Sequence, residues 1–319
     1  PTTRALAAVA TGETVWREQG LPGAVLTRVA SSHIRVGTFE YFAVRGQEDA
    51  LAALTDHVVA RHYPAANGPL SLLDHVIARQ AETIAHWMAL GFIHGVMNTD
   101  NMTLSGETID YGPCAFLDAY DPETFFSSVD TGGRYRYSAQ PTMALWGLAR
   151  LAECLIPLAD GEADDLVTQA QERLEAFTPA YEQHVLDNFR IKLGLVRDVA
   201  GDDALVEDLL QIATDESLDF TGLFRDLARV LRDEPTPTLD RVRDVARWQA
   251  WRDRWLTRLH GEGKAPAASA QIMDETNPEL KSKIGTAAYF LAAGKALGRL
   301  PIRVWVRLGG SHHTRRRHS

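Results

Sequence analysis

The apolar residues of this chain change their pattern near residue 47. Before it, short β-branched runs stand between turn formers. Thr14-Val15-Trp16 follows a Thr11-Gly12 turn, and Ala24 to Val29 follows Leu21-Pro22-Gly23, which predicts two strands. A third extended piece is expected from Ile34 to Phe42. From Gln47 the spacing is helical. Leu51, Leu54, Val58 and Val59 define one helix, and Leu73, Val76, Ile77, Ile84, Trp87 and Met88 line a stronger one that Gly91 should stop. Residues 92–118 read as loop and short strand. Helix resumes at Pro141, with Met143, Leu145, Trp146, Leu148, Leu151, Leu155 and Ile156 apolar. Acidic helices follow through 162–260, with breaks near Gly201 and at Pro235-Thr236-Pro237. A small β-rich start and a large helical remainder suit a two-lobed α+β enzyme with its cleft where the halves meet.

Composition narrows the partners. The chain has 319 residues, 45% of them hydrophobic, enough for one large domain or two smaller ones. Its net charge of −9, from 42 acids and 33 bases, argues against nucleic acid as a partner. No apolar run reaches membrane-spanning length, and no secretory pattern opens the chain. Cys114 and Cys154 make no disulfide framework, so a reducing, cytoplasmic setting is expected. The first lysine is Lys192; earlier positive charge is carried by arginine and, conditionally, histidine.

The chemistry concentrates between His94 and Pro113. Ser105-Gly106, between two short alternating runs, predicts a two-residue hairpin turn. Counting outward pairs Leu104 with Glu107, Thr103 with Thr108, Met102 with Ile109, and Asn101 with Asp110. That register would set an amide oxygen beside a carboxylate, the hard oxygen ligands that Mg²⁺ takes. Asp100 lies outside the register and can turn toward an incoming nucleophile as a general base. The competing reading makes Asp100 and Asn101 an Asx turn and Asp110 a loop cap. His94 suits a loop-orienting role through backbone hydrogen bonds. Arg28 and Arg35 could grip phosphate bidentately. Cys114 reads as a small packing residue.

Gly23 to Ala30, Ser32 to Ala43, His94 to Met102 and Ile109 to Pro113 resemble the selenoprotein O family, as do Gly133-Arg134-Tyr135, Gln140-Pro141 and Lys192 to Leu195. The resemblance runs through about residues 1–278. It implies a protein-kinase-like fold that binds ATP in a flipped orientation and transfers AMP to protein hydroxyls. On this resemblance Asp100 accepts the proton, Asn101 and Asp110 bind Mg²⁺ (Mn²⁺ being a possible substitute), and Arg28 and Arg35, with Asp110, contact ATP. Ser, Thr or Tyr hydroxyls of other proteins would be the acceptors. His94 and Asn101 keep the spacing of the kinase catalytic loop, yet the kinase base position is Val96, which takes no proton. Asp110-Tyr111-Gly112 stands where kinases have Asp-Phe-Gly.

The family's Gly-rich loop, strand lysine and helix glutamate belong upstream of a stretch matching Pro1 to Arg4. The expectation is therefore a truncated β-rich lobe over 1–46, a helical lobe over 47–278 with the catalytic loop at 92–118, and a divergent tail at 279–319 for which disorder is one expectation. Ser127-Ser128 replaces an expected Asn-His pair. Two rivals remain: a protein uridylyltransferase using the same site, and a catalytically dead pseudokinase.

Overall fold

The computed structural model describes residues 2–16, 20–128 and 130–277, and the tail expected from 279 lies outside them. Strands β1 (Arg4–Trp16) and β2 (Gly20–Val29) form an antiparallel ribbon paired from Arg4↔Val29 to Trp16↔Gly20. Both expected strands fall inside it. Ala5, Ala8 and Leu26 pack toward the core, while Leu6, Val9 and Trp16 are exposed.

The third extended piece is corrected. Only residues up to Arg35 are extended, and they run along the 92–118 loop: Leu104 N–H donates to Ile34 O (3.0 Å) and Val36 N–H to Met102 O (2.9 Å). From there the chain coils into helix α1 (Val36–Ala43). Val36 and Phe39, three residues apart, are both fully buried, and burying that helical face outweighs the β-branched local preference.

Helix α2 (Glu48–His62) precedes α3 (Pro69–Leu90), the buried spine of the helical body. Gly91 ends α3 in the left-handed region (φ 68°), where its N–H reaches the Met88 and Trp87 carbonyls. A side chain there would also meet the Phe220 ring at 2.7 Å. Short strands β3 (Phe92–Ile93) and β4 (Ala115–Phe116) pair antiparallel and close the base of the loop between them.

The remaining helices are α4 (Gln140–Leu155), α5 (Ala163–Glu175), α6 (Phe177–Lys192), α7 (Asp202–Asp215), α8 (Phe220–Val230), α9 (Val245–His260) and α10 (Pro266–Thr276). Gly201 and the 235–237 segment fall at breaks, as expected. Helix α3 packs on α4, α5 and α6, α8 on α10, and α7 on α6 and α9. Trp248, Trp251 and Trp255 stack along α9, and the last two donate their indole N–H groups to Leu205 O (2.8 Å) and Leu193 O (3.0 Å). The architecture is α+β and mainly helical. Among the described residues no helix is long and apolar enough to cross a membrane.

Candidate active site

The loop between β3 and β4 does not take the expected two-residue turn. Gly106 N–H bonds Thr103 O (3.2 Å), Gly106 is left-handed (φ 73°), and Met102 bridges Thr108. This is the three-residue type of hairpin connection, in which a glycine in the left-handed region follows the turn. The register therefore shifts by one, and Asn101 is not the cross-strand partner of Asp110. Thr103 Oγ1 instead bonds Glu107 O (2.7 Å), and the buried Gln80 and Thr83 of α3 donate to Thr103 O (2.7 Å) and Gly106 O (2.7 Å).

His94 links the two residues by another route. Its Nδ1 accepts the Val96 N–H (3.3 Å) and its Nε2–H donates to Ile109 O (2.8 Å). Asn101 Nδ2 donates to Val96 O (2.9 Å). A chain of hydrogen bonds thus runs from Asn101 through Val96 and His94 to the residue before Asp110. Burial lowers the His94 pKa and keeps the ring neutral, as one accepting and one donating nitrogen requires. Trp87 stacks on the ring at 5.3 Å and donates its indole N–H to Thr108 Oγ1 (2.9 Å). Gln140, fully buried, accepts the His94 N–H (3.0 Å) and donates to Phe92 O (2.9 Å). The loop-orienting role expected for His94 is what the structure shows.

Asp110 sits at φ 54°, an uncommon conformation for a residue with a side chain. Asn101 spends its amide N–H on Val96, leaving Oδ1 as the side chain's acceptor. An amide oxygen and a carboxylate fit a hard divalent cation whose other positions go to water and phosphate. No cluster of three or more His, Cys, Asp or Glu side chains able to hold a metal occurs among the described residues.

Asp100 lies in a single 3₁₀ turn over Thr99–Asn101 and is solvent-exposed. Arg35 Nη1 donates to its carbonyl (3.3 Å) and lies 3.9 Å from its carboxylate. The carboxylate rests against the first turn of α1, where a Cβ on Gly37 would come within 2.5 Å of Asp100 Oδ1. Asp100 therefore occupies space that exists only because residue 37 has no side chain.

Arg28 and Arg35 meet across a cleft of about 300 Å³, lined also by Thr3, His33 and Ile109. Arg28 is already engaged: Nε and Nη2 donate to Thr3 Oγ1 (2.8 and 2.6 Å), and the guanidinium lies 4.6 Å over Tyr111. Arg35 Nε is buried without a partner. Gln140, Gly37 and His33 escaped the sequence reading as individual site residues, although each lies in or beside a motif that was read. Cys114 is buried, as expected of a packing residue.

In this α+β protein a cleft lined by two arginines adjoins the loop that carries Asp100, Asn101 and Asp110. The family described as "Protein adenylyltransferase SelO" matches residues 1–287, and the chain belongs to that family. It is 52% identical over 286 residues to a protein nucleotidyltransferase YdiU of Bradyrhizobium diazoefficiens, covering 87% of this chain and 58% of that one. The same-named proteins of Rhizobium etli and Halalkalibacterium halodurans are 51% and 49% identical over 284 and 283 residues, again 87% of this chain, and 57% and 56% of theirs. The chain thus spans less than two thirds of the length of these relatives.

Proposed function

We propose that this chain carries the nucleotide- and metal-binding site of a protein adenylyltransferase, which moves AMP from ATP to Ser, Thr or Tyr hydroxyls of other proteins. The observation that carries the reading is Arg35, which lines the cationic cleft and also binds the backbone of Asp100. One side chain thereby ties the proposed phosphate grip to the proposed base. The family and the relatives' printed activity agree with it.

In this mechanism the acceptor hydroxyl gives its proton to the Asp100 carboxylate as its oxygen attacks the α-phosphorus. The bond from that phosphorus to the bridging oxygen breaks, and pyrophosphate leaves. Arg35 and Arg28 neutralise phosphate charge, the term on which phosphoryl-type chemistry mainly depends. Asn101 and Asp110 would hold a divalent cation, Mg²⁺ or in its place Mn²⁺, that further offsets this charge. The side chain at position 96 takes no proton, which suits a nucleotide bound with its α-phosphate, not its γ-phosphate, toward the loop. The kinase-like division into a lobe over 1–46 and a helical lobe over 47–278, and a cytoplasmic setting, belong to the same proposal.

The test follows label from α-phosphate-labelled ATP into protein, with labelled UTP in parallel because the relatives' name leaves the nucleobase open. Asp100→Ala should cut transfer by about 10²-fold or more while nucleotide binding stays close to wild type. Asp110→Ala should abolish the metal-dependent part of nucleotide binding. Wild-type transfer by Asp100→Ala would remove the base assignment, and nucleotide binding without any transfer would favour the pseudokinase.

A further inference from the structure

The segment before α1 is extended and pairs along the catalytic loop, with Arg35 opposite Thr103 and Ile34 O bonded to Leu104 N–H. Side chains of an extended segment alternate between faces. Ile34 packs toward the core. His33 and Arg35, on either side of it, therefore share the opposite face, and both line the 300 Å³ cleft with Arg28. His33 is exposed there, whereas Arg28 is tied down by Thr3 and Tyr111. An imidazole two residues from a guanidinium adds a hydrogen-bond donor to the same wall.

We infer that His33 is a third phosphate-binding side chain of this cleft, contacting the polyphosphate of the nucleotide beside Arg35. The inference rests on the nucleotide-binding reading above and extends it to a residue that reading does not use. Arg35 lines the cleft with a side chain that is 42% exposed, and His33 supplies the neighbouring donor from the same face of the same segment. Two donors spaced along one strand match a chain of phosphates better than a single phosphate group.

Isothermal titration of the whole chain with ATP, inorganic pyrophosphate and adenosine tests this. His33→Ala should weaken ATP and pyrophosphate binding by about tenfold, the usual scale for one hydrogen bond to a charged group. Adenosine binding should not change, and His33→Arg should restore ATP affinity. Wild-type ATP affinity in His33→Ala would overturn the inference and leave the nucleotide reading intact. An equal loss for ATP and adenosine would show a structural role and also overturn it. A wild-type chain that binds neither ATP nor pyrophosphate would overturn both.

Discussion

The position of Asp100 depends on an atom that residue 37 lacks. A Cβ there would lie 2.5 Å from Asp100 Oδ1, 3.1 Å from its Cγ and 3.3 Å from its backbone N, so the carboxylate and its turn would have to move. Alanine is otherwise the better helix residue by about 0.5–1 kcal/mol. Gly37→Ala should therefore leave the melting temperature level or raised, yet reduce transfer by about tenfold or more, since a misplacement of an ångström costs that much. Thermal unfolding and α-phosphate label transfer on one preparation separate the two effects. Lower stability with unchanged transfer would show that the contact at Asp100 has no bearing on the chemistry.

Among the elements, α4 is hydrogen-bonded to the 92–118 loop through Gln140. Gln140, at its first turn, bonds the His94 N–H and the Phe92 carbonyl on both sides of the loop's entry. Gln140→Ala would strand two buried backbone groups, and each costs about 1–3 kcal/mol when unpaired. Chemical unfolding should show a loss of about 2–6 kcal/mol for the two together, with transfer falling as His94 loosens; a change below about 0.5 kcal/mol would mean that water replaces the amide. Helices such as α3 were legible because their apolar positions repeat at helical spacing over many residues. Val36 to Phe42 was not, since Gly37 and Thr38 dilute a helical signal that exists only through the burial of Val36 and Phe39. The hairpin register failed for a similar reason. Whether Ser105-Gly106 makes a two- or three-residue turn depends on which residue is left-handed, and the bonds from Gln80 and Thr83 on α3 hold the observed form. Asn101 and Asp110 were thus paired by an incorrect argument. The hydrogen bonds that join their segments run through His94, whose partners are backbone atoms that spacing does not reveal.

Across the molecule, Lys192 sets how stability should depend on pH. It lies at the end of α6, almost wholly buried, with Nζ 4.1 Å from the Phe224 ring centre and 5.4 Å from that of Phe220. Phe220 also stacks on Tyr120 and fills the space beside Gly91, so the lysine sits where α6 and α8 meet the segments flanking the 92–118 loop. Burial pushes its pKa down to about 7, although the two rings favour the charged form. The folded pKa lies below the unfolded one, so above pH 7 the unfolded chain holds the extra proton. Stability should then rise with pH, by at most about 1.4 kcal/mol per pH unit for one proton. Burial raises Tyr120 to about 12 and Cys154 to about 11, so neither ionises in the fold between pH 7 and 8. Thermal unfolding at pH 7 and pH 8 should give the higher melting temperature at pH 8. Lys192→Met, close in volume and without the charge, should flatten that dependence and be at least as stable as wild type at pH 7. An unchanged slope in Lys192→Met would place the titrating group elsewhere. A large loss of stability at both pH values would show that the ammonium's contact with the rings outweighs the cost of burying it.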